Sequence, residues 1–249
     1  MIHELIDLSD NLSSELVSIP PDADDVCPVC RTGKLANSVW CMSCTKTAAQ
    51  VDHPCLQVIP ISFYTTPSRL RDRMHDFKEH PDADVRAEEG RAVASLLARY
   101  MHEHSEAMSH TFGHWEATVA VPSSRHDRLP ALQLAIQDNF ADYLSPFERP
   151  LRRGTDDMDF NQAKPAGFVL NDTGTAIRGR SYLLIDDTFT TGARLQSAHH
   201  ALIAAGATVP AAVVVTRKIN PSIEYGSQDM WDRQVAAGFD FGSNPWWRT

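Results

Sequence analysis

The sequence predicts an α/β protein with a mainly parallel, twisted sheet and flanking helices, preceded by a small cysteine-rich module. Three observations predict this fold. Strand candidates alternate with amphipathic helical segments over residues 117–215, two C-x-x-C pairs lie within residues 26–50, and an apolar strand over 181–185 runs into two carboxylates and a Thr/Gly turn. With 249 residues, of which 43% are hydrophobic and 22% charged, the chain can bury a sizeable core and has the composition of a globular protein.

The net charge and the hydropathy pattern exclude some classes of protein. The formal net charge of −9 at pH 7 argues against a protein that coats nucleic acid with its whole surface, although a local basic patch remains compatible with it. No run approaches the ~20 apolar residues of a membrane helix. Residues 1–19 contain four acids and neither Lys nor Arg, unlike a signal peptide. We therefore expect a cytoplasmic protein without a membrane span.

Hydrophobic periodicity and turn residues place the elements. Apolar residues at helical spacing mark helices, short apolar runs mark strands, and clusters of Pro, Gly and charged residues mark loops. In chain order we predict a helix over 2–16, a strand over 56–61, a partly looped segment over 64–82, a helix over 84–102, a strand over 117–121, a helix over 129–143, a long mobile loop over 145–165, strands over 168–170 and 181–185, a helix over 191–205 and a strand over 209–215.

These elements group into four segments. We divide the chain into an N-terminal helix and linker (1–25), a cysteine module (26–50), an α/β domain (51–225) and a C-terminal tail (226–249). The tail holds three of the five tryptophans, Trp231, Trp246 and Trp247. We expect it to fold back onto the domain, with a partner-binding patch as the open alternative.

The cysteine module has the spacing of a structural zinc site. Two C-x-x-C turns separated by ten residues can present four thiolates in a tetrahedron, as in a zinc ribbon, and Gly33 suits a turn between them. The predicted ligands are Cys27, Cys30, Cys41 and Cys44. Four ordinary buried or redox-active thiols are the alternative. Cys55 is expected to be a free core thiol, or else a replacement ligand. Because the module is expected to lie outside the sheet, a ligand site on the sheet need not be lost with the metal.

Three basic residues and no acid lie between Val26 and Val51: Arg31, Lys34 and Lys46. They suit a contact with a protein partner or with single-stranded DNA, but also an ordinary solvated surface.

The segment from Ser181 to Ala193 contains the candidate ligand-binding residues. An apolar strand ends in Asp186 and Asp187, and a turn with three threonines and Gly192 leads into a helix. Ligands of open α/β sheets bind at the carboxyl ends of strands, and the backbone N–H groups of such a turn can cradle a phosphate. Two adjacent carboxylates suit the hydroxyl pair of a ribose. The pattern therefore predicts a sugar-phosphate site; a strand end followed by a simple helix cap is the alternative.

At these residues the sequence resembles the type I phosphoribosyltransferases, whose fingerprint is four apolar residues, two acids and a short Thr/Gly turn. The stretch from Leu183 to Gly192 matches this fingerprint. A four-cysteine module followed by such a domain is similar to the ComF-type competence proteins, often described as amidophosphoribosyltransferase-like. Pro67–Arg71 and Phe77-Lys78 are similar to the segment that precedes that family's first long helix.

The resemblance implies a glycosyltransferase (pentosyltransferase) that binds phosphoribosyl pyrophosphate, or a nucleotide monophosphate, together with Mg²⁺ that arrives mainly on the substrate. It implies that Asp186 and Asp187 bind the ribose and support catalysis. The implied phosphate residues are Thr188, Phe189, Thr190, Thr191 and Gly192, and the implied pyrophosphate loop holds Ser123, Ser124 and Arg125 after Val121-Pro122. Arg69 and Lys78 are further pyrophosphate candidates.

The family's Arg-Gly-Phe-Asn-Gln stretch is divided here between Arg153-Gly154 and Phe160-Asn161-Gln162 by an Asp-rich insert. The resemblance therefore does not identify the acceptor. Three functions stay open: transfer of phosphoribose to a nitrogen acceptor, sensing of phosphoribosyl pyrophosphate without turnover, and a non-catalytic ComF-like role in DNA uptake.

Overall fold

The computed structural model describes residues 2–123, 129–144, 146–159, 161–171, 176–222, 227–243 and 245–247. Seven α-helices lie in these ranges: α1 (Ile2–Leu12), α2 (Met42–Ala48), α3 (Arg69–Glu79), α4 (Ala83–Phe112), α5 (Ala131–Asn139), α6 (Ala193–Ala204) and α7 (Ser227–Ala237). Six strands lie there too: β1 (Val58–Tyr64), β2 (Ala117–Ala120), β3 (Leu151–Arg153), β4 (Phe168–Leu170), β5 (Tyr182–Phe189) and β6 (Ala212–Lys218).

The central sheet has four parallel strands in the order β1–β6–β5–β2. Its inner strands β5 and β6 are buried along nearly their whole length, which is why both are continuous apolar runs. The register places Asp186 opposite Val214 near the carboxyl end of the sheet. The predicted α/β class, with a parallel sheet between helices, is confirmed.

Alternate side chains of β5 point into two different layers, because successive residues of a strand face opposite sides of the sheet. Leu183 and Ile185 join the apolar cluster formed with α1, α3, α4 and α5. Leu184 joins a second cluster, formed with α6 and the four paired cysteines. The cysteine module contributes no strand to this sheet and is packed against one of its faces.

The segment predicted to be partly looped over 64–82 instead contains α3. Ser68 begins this helix, because its hydroxyl oxygen accepts a hydrogen bond from the Arg71 N–H at 3.1 Å. Pro67 and Pro81 lie just outside the helix, where proline does not interrupt its hydrogen bonds. The helix predicted over 84–102 extends further, to Phe112, where Gly113 follows with a positive φ of 114°.

The predicted mobile loop over 145–165 contains β3, which pairs antiparallel with β4 in a separate two-stranded sheet. Strand β5 also continues beyond its predicted end to Phe189, so Asp186 and Asp187 belong to the strand rather than to the turn after it. The turn is thereby reduced to residues 190–192, and α6 begins at Ala193.

The C-terminal tryptophans contact the body of the protein. The indole Nε1 of Trp247 donates a hydrogen bond to the Tyr100 hydroxyl at 3.0 Å, and Trp246 stacks below the Arg31 guanidinium at 4.1 Å. Within the described ranges, no helix combines the length and the apolarity that crossing a membrane requires.

Candidate functional site

A cleft of about 2250 Å³ lies at the carboxyl end of β5, between the sheet and helices α3, α4 and α5. Its lining includes the end of β5, the turn at 190–192 and the first residues of α6. All described members of the predicted substrate site line this cleft: Ser123, Asp186, Asp187, Thr188, Phe189, Thr190, Thr191 and Gly192. Ser124 and Arg125 lie outside the described residues.

Two buried carboxylates line the cleft, and each is paired with a cation. Asp186 is 6% exposed and Asp187 is 9% exposed. Lys78 Nζ lies 3.1 Å from Asp187 Oδ1. Arg194 Nη2 lies 3.2 Å and 3.3 Å from the two oxygens of Asp186, and 3.7 Å from Asp187 Oδ1. Two acids and two bases from three elements therefore meet in one place.

The pKa values of the two carboxylates are shifted in opposite directions. Burial raises the pKa of Asp186 to about 6, against the attraction of Arg194. Burial is also the largest influence on Asp187 and acts to raise its pKa, but Lys78 and Arg194 together outweigh it and hold this pKa below its usual value. At neutral pH both groups are therefore ionised, and both can accept hydrogen bonds from ligand hydroxyls.

The turn at 190–192 ends in a glycine for a steric reason. Gly192 has a φ of 84°, and a Cβ at this position would lie 2.4 Å from Cζ of the buried Phe189 ring. Gly192 is the N-cap of α6, and its carbonyl accepts the first helical hydrogen bond, from the Gln196 N–H at 2.8 Å. The N–H groups of residues 193–195 consequently have no acceptor within the helix, and the positive end of the helix dipole lies at the cleft.

The cleft also contains residues that the sequence interpretation missed. Arg194 follows the turn in the first turn of α6, a position from which a helical side chain can reach back to the strand end. Tyr64 ends β1 and lines the cleft, and burial followed by the charge of Asp187 raises its pKa. Lys78 was a pyrophosphate candidate and contacts Asp187. Arg69 does not lie at the cleft: its side chain is 84% exposed and lies beside Glu15.

The four paired cysteines form a second site, on the other face of the sheet. Their sulfur atoms all lie within 4.8 Å of one another, and all four residues are buried. The Sγ atoms of Cys30 and Cys41 are 3.5 Å apart, close to the edge of about 3.8 Å in a tetrahedron of Zn–S bonds. This cluster could hold a metal ion, as its spacing predicted.

The four thiols lie so close together that each shifts the pKa values of the others. Hydrogen bonding with Cys30 is the first of the influences that lower the pKa of Cys27, whereas hydrogen bonding with Cys27 is the first that raises the pKa values of Cys41 and Cys44. Four thiolates cannot be ionised together in so small a space unless a cation neutralises them. Cys55 is a separate buried thiol outside this cluster, and burial raises its pKa to about 12.

The basic residues of the cysteine module do not form one exposed patch. Arg31 is completely buried: it donates hydrogen bonds to Asp22 at 2.5 Å and to the Pro20 carbonyl at 2.8 Å, and it stacks on Trp246. The predicted contact surface for DNA or a protein partner therefore loses one of its three charges.

No protein-family model matches this sequence, and no curated protein matches it significantly. The function is therefore inferred from the cleft and the cysteine cluster.

Proposed function

We propose that the chain binds phosphoribosyl pyrophosphate with Mg²⁺ in the cleft and transfers phosphoribose to a nitrogen acceptor, with release of pyrophosphate. The observation that carries this proposal is the placement of two buried carboxylates, each paired with a cation, directly beside a helix N-terminus that begins with a glycine turn. Hydrogen-bond acceptors for a sugar and donors for a phosphate then lie side by side.

Each part of the ligand has a chemical counterpart in this cleft. Asp186 and Asp187 accept hydrogen bonds from the ribose hydroxyls, and the N–H groups at the start of α6 donate to the 5′-phosphate. In the transfer step the bond between C1 and the pyrophosphate oxygen breaks, and its electron pair leaves with pyrophosphate. A C1–N bond forms and the nitrogen loses a proton. Lys78 and Arg194 supply positive charge near the departing anion.

The pairing of the carboxylates bears on how Mg²⁺ would be held. Both carboxylates have a cationic nitrogen within 3.3 Å, so a divalent ion bound directly to them would meet Lys78 and Arg194. This supports Mg²⁺ that enters on the pyrophosphate of the substrate rather than on a protein carboxylate. For the four-cysteine cluster we propose structural Zn²⁺, because four thiolate ligands leave no open coordination position for catalysis.

Titration calorimetry of the full chain with phosphoribosyl pyrophosphate and Mg²⁺ tests the proposal. The double change Asp186→Asn and Asp187→Asn should weaken binding by about 3 kcal/mol, or about a hundredfold, because hydrogen bonds to charged acceptors are lost. Binding of inorganic phosphate should survive, because it uses the N–H groups of α6. The matched control is Asp142→Asn, an exposed acid away from the cleft, which should change neither affinity.

Equal affinities of the parent and the double variant for phosphoribosyl pyrophosphate would contradict the assignment of the carboxylates. Pyrophosphate release in the presence of a panel of amines and nucleobases then separates a transferase from a sensor. A protein that binds the ligand with these mutational effects, yet never releases pyrophosphate, is a sensor of phosphoribosyl pyrophosphate.

A further inference from the structure

We propose that Thr47 and Arg217 are positioning residues that tie the anion-binding turn to the four-cysteine module, so that a metal at the cysteines and an anion at the turn strengthen each other's binding. The proposal rests on the proposed function for its anion site. It goes beyond the expectation that the ligand site need not be lost with the metal, because it predicts that the site is weakened.

The first connection comes from α2, the helix that carries Cys44. Thr47 is fully buried on this helix, and its hydroxyl lies 2.9 Å from the carbonyl oxygen of Ser43 and 3.2 Å from that of Thr191. Its single proton is therefore shared between its own helix and the turn. The contact joins residues 144 positions apart in the sequence, so only the packing of the module against the turn brings it about.

The second connection comes from β6. Arg217 is 1% exposed, and its Nη1 donates hydrogen bonds to the carbonyl oxygens of Thr190 at 2.8 Å and Phe189 at 3.5 Å. Its guanidinium also lies 5.3 Å from the centre of the Phe189 ring, the ring that a Cβ on Gly192 would strike. Arg217 thus fixes both the backbone of the turn and the side chain beneath it.

Holding these carbonyls aims the N–H groups of the turn. In a trans peptide the C=O of one residue and the N–H of the next lie in one plane and point in opposite directions. The carbonyls of Thr190 and Thr191 are bound to Arg217 and Thr47. The N–H groups of Thr191 and Gly192 are consequently directed away from these partners, and a shift of the module would turn them away from an anion in the cleft.

The metal site belongs to the same packed unit. The four paired cysteines lie in one apolar cluster with Phe189 and with Leu195 of α6. Phe189 is also the ring that lies 5.3 Å from the Arg217 guanidinium, so the cysteines and Arg217 pack around the same side chain. Displacing the cysteines would therefore disturb the residue that holds the turn.

Thermodynamic reciprocity supplies the first test. If metal raises the affinity for an anion by some factor, the anion must raise the affinity for metal by the same factor. We would measure the transfer of metal from the full-length holoprotein to a coloured chelator at equilibrium, with and without inorganic phosphate or phosphoribosyl pyrophosphate. We expect saturating anion to raise the apparent affinity of the protein for the metal at least threefold, so that less metal is transferred to the chelator.

Variants of Thr47 keep all four cysteines and separate positioning from general stability. Thr47→Val removes the hydroxyl and keeps the shape, so phosphate affinity should fall about threefold to tenfold while the metal content stays unchanged. Thr47→Ser retains the hydroxyl, so this variant should keep the phosphate affinity and the coupling of the parent protein. In Co²⁺-substituted protein, phosphate should shift the cobalt absorption bands, and this shift should shrink in Thr47→Val.

The outcomes separate this inference from the proposed function. Phosphate binding without any effect on metal transfer or on the cobalt bands would overturn the coupling and leave the proposed function standing. Coupling to inorganic phosphate without affinity for phosphoribosyl pyrophosphate would overturn the proposed function alone. Absence of binding to either anion would overturn both.

Discussion

Replacement of Gly192 by alanine is the most direct perturbation of the proposed phosphate site. The change has two costs. An alanine at a φ of 84° is strained by about 1–2 kcal/mol, and its Cβ would lie 2.4 Å from Phe189, which adds about 1–3 kcal/mol of overpacking. The ring cannot move cheaply, because it is 1% exposed and lies beside the Arg217 guanidinium.

The chain offers a matched control for the first of these costs. Gly179 has nearly the same φ, 79°, but nothing lies within 4 Å of a Cβ built there. Gly179→Ala should therefore cost only the backbone strain of about 1–2 kcal/mol, whereas Gly192→Ala should cost about 2–5 kcal/mol in urea unfolding. Gly192→Ala should also reduce phosphate affinity more than tenfold in titration calorimetry, and Gly179→Ala should leave that affinity unchanged.

A third variant isolates the contact with the ring. Adding Phe189→Leu to Gly192→Ala should recover part of the lost stability, so the two changes together should cost less than the sum of their separate effects. The reasoning is refuted if the two glycine variants lose the same stability, or if Gly192→Ala binds phosphate as tightly as the parent protein does.

Two further predictions concern the metal and the pH dependence. Atomic absorption should give about one zinc per chain in the parent and in the control variant Cys55→Ser. Cys27→Ser should lose both the metal and stability, because the free energy of metal binding contributes to folding. Zinc retained in Cys27→Ser would contradict the four-cysteine site. Burial raises the pKa of Asp186 from 3.8, the ordinary value taken for the unfolded chain, to about 6 in the folded protein. Between these pH values the folded state binds more protons than the unfolded state. The contribution of this group to stability therefore falls by about 3 kcal/mol as the pH rises from 4 to 6. Asp186→Asn should remove that slope from the pH profile of urea unfolding, and identical profiles for parent and variant would refute the assigned pKa.

The regular alternation of strands and helices after residue 117 was enough to predict the parallel sheet, because both inner strands are continuous apolar runs. Helix α3 was hidden by Pro67 and Pro81, which suggest loops but in fact flank the helix and its Ser68 cap. Strand β3 has three residues and no period of its own. It exists because it pairs with β4, and such pairing leaves no local signal.

Some residues of the candidate site are neighbours in the sequence, whereas others come from distant positions. Asp186, Asp187 and Gly192 are neighbours in sequence, so one motif was enough to bring them together. Lys78 was predicted as a pyrophosphate candidate, but it reaches Asp187 across 109 positions of sequence, and nothing in the motif indicates that contact. The charge of Arg31 predicted an exposed residue, but Asp22 and Trp246 bury its guanidinium, a contact that single-sequence charge patterns do not reveal.

The burial of Arg217 gives a physical reason for the metal and the turn to be coupled. A guanidinium that is 1% exposed is costly unless its charge is compensated nearby. Carbonyl oxygens of the turn supply part of this compensation. Four thiolates around a divalent cation carry a net negative charge and would supply more, whereas neutral thiols would supply none. Loss of a metal bound at the cysteines would therefore weaken the stabilisation of the same charge that holds the carbonyls of Phe189 and Thr190.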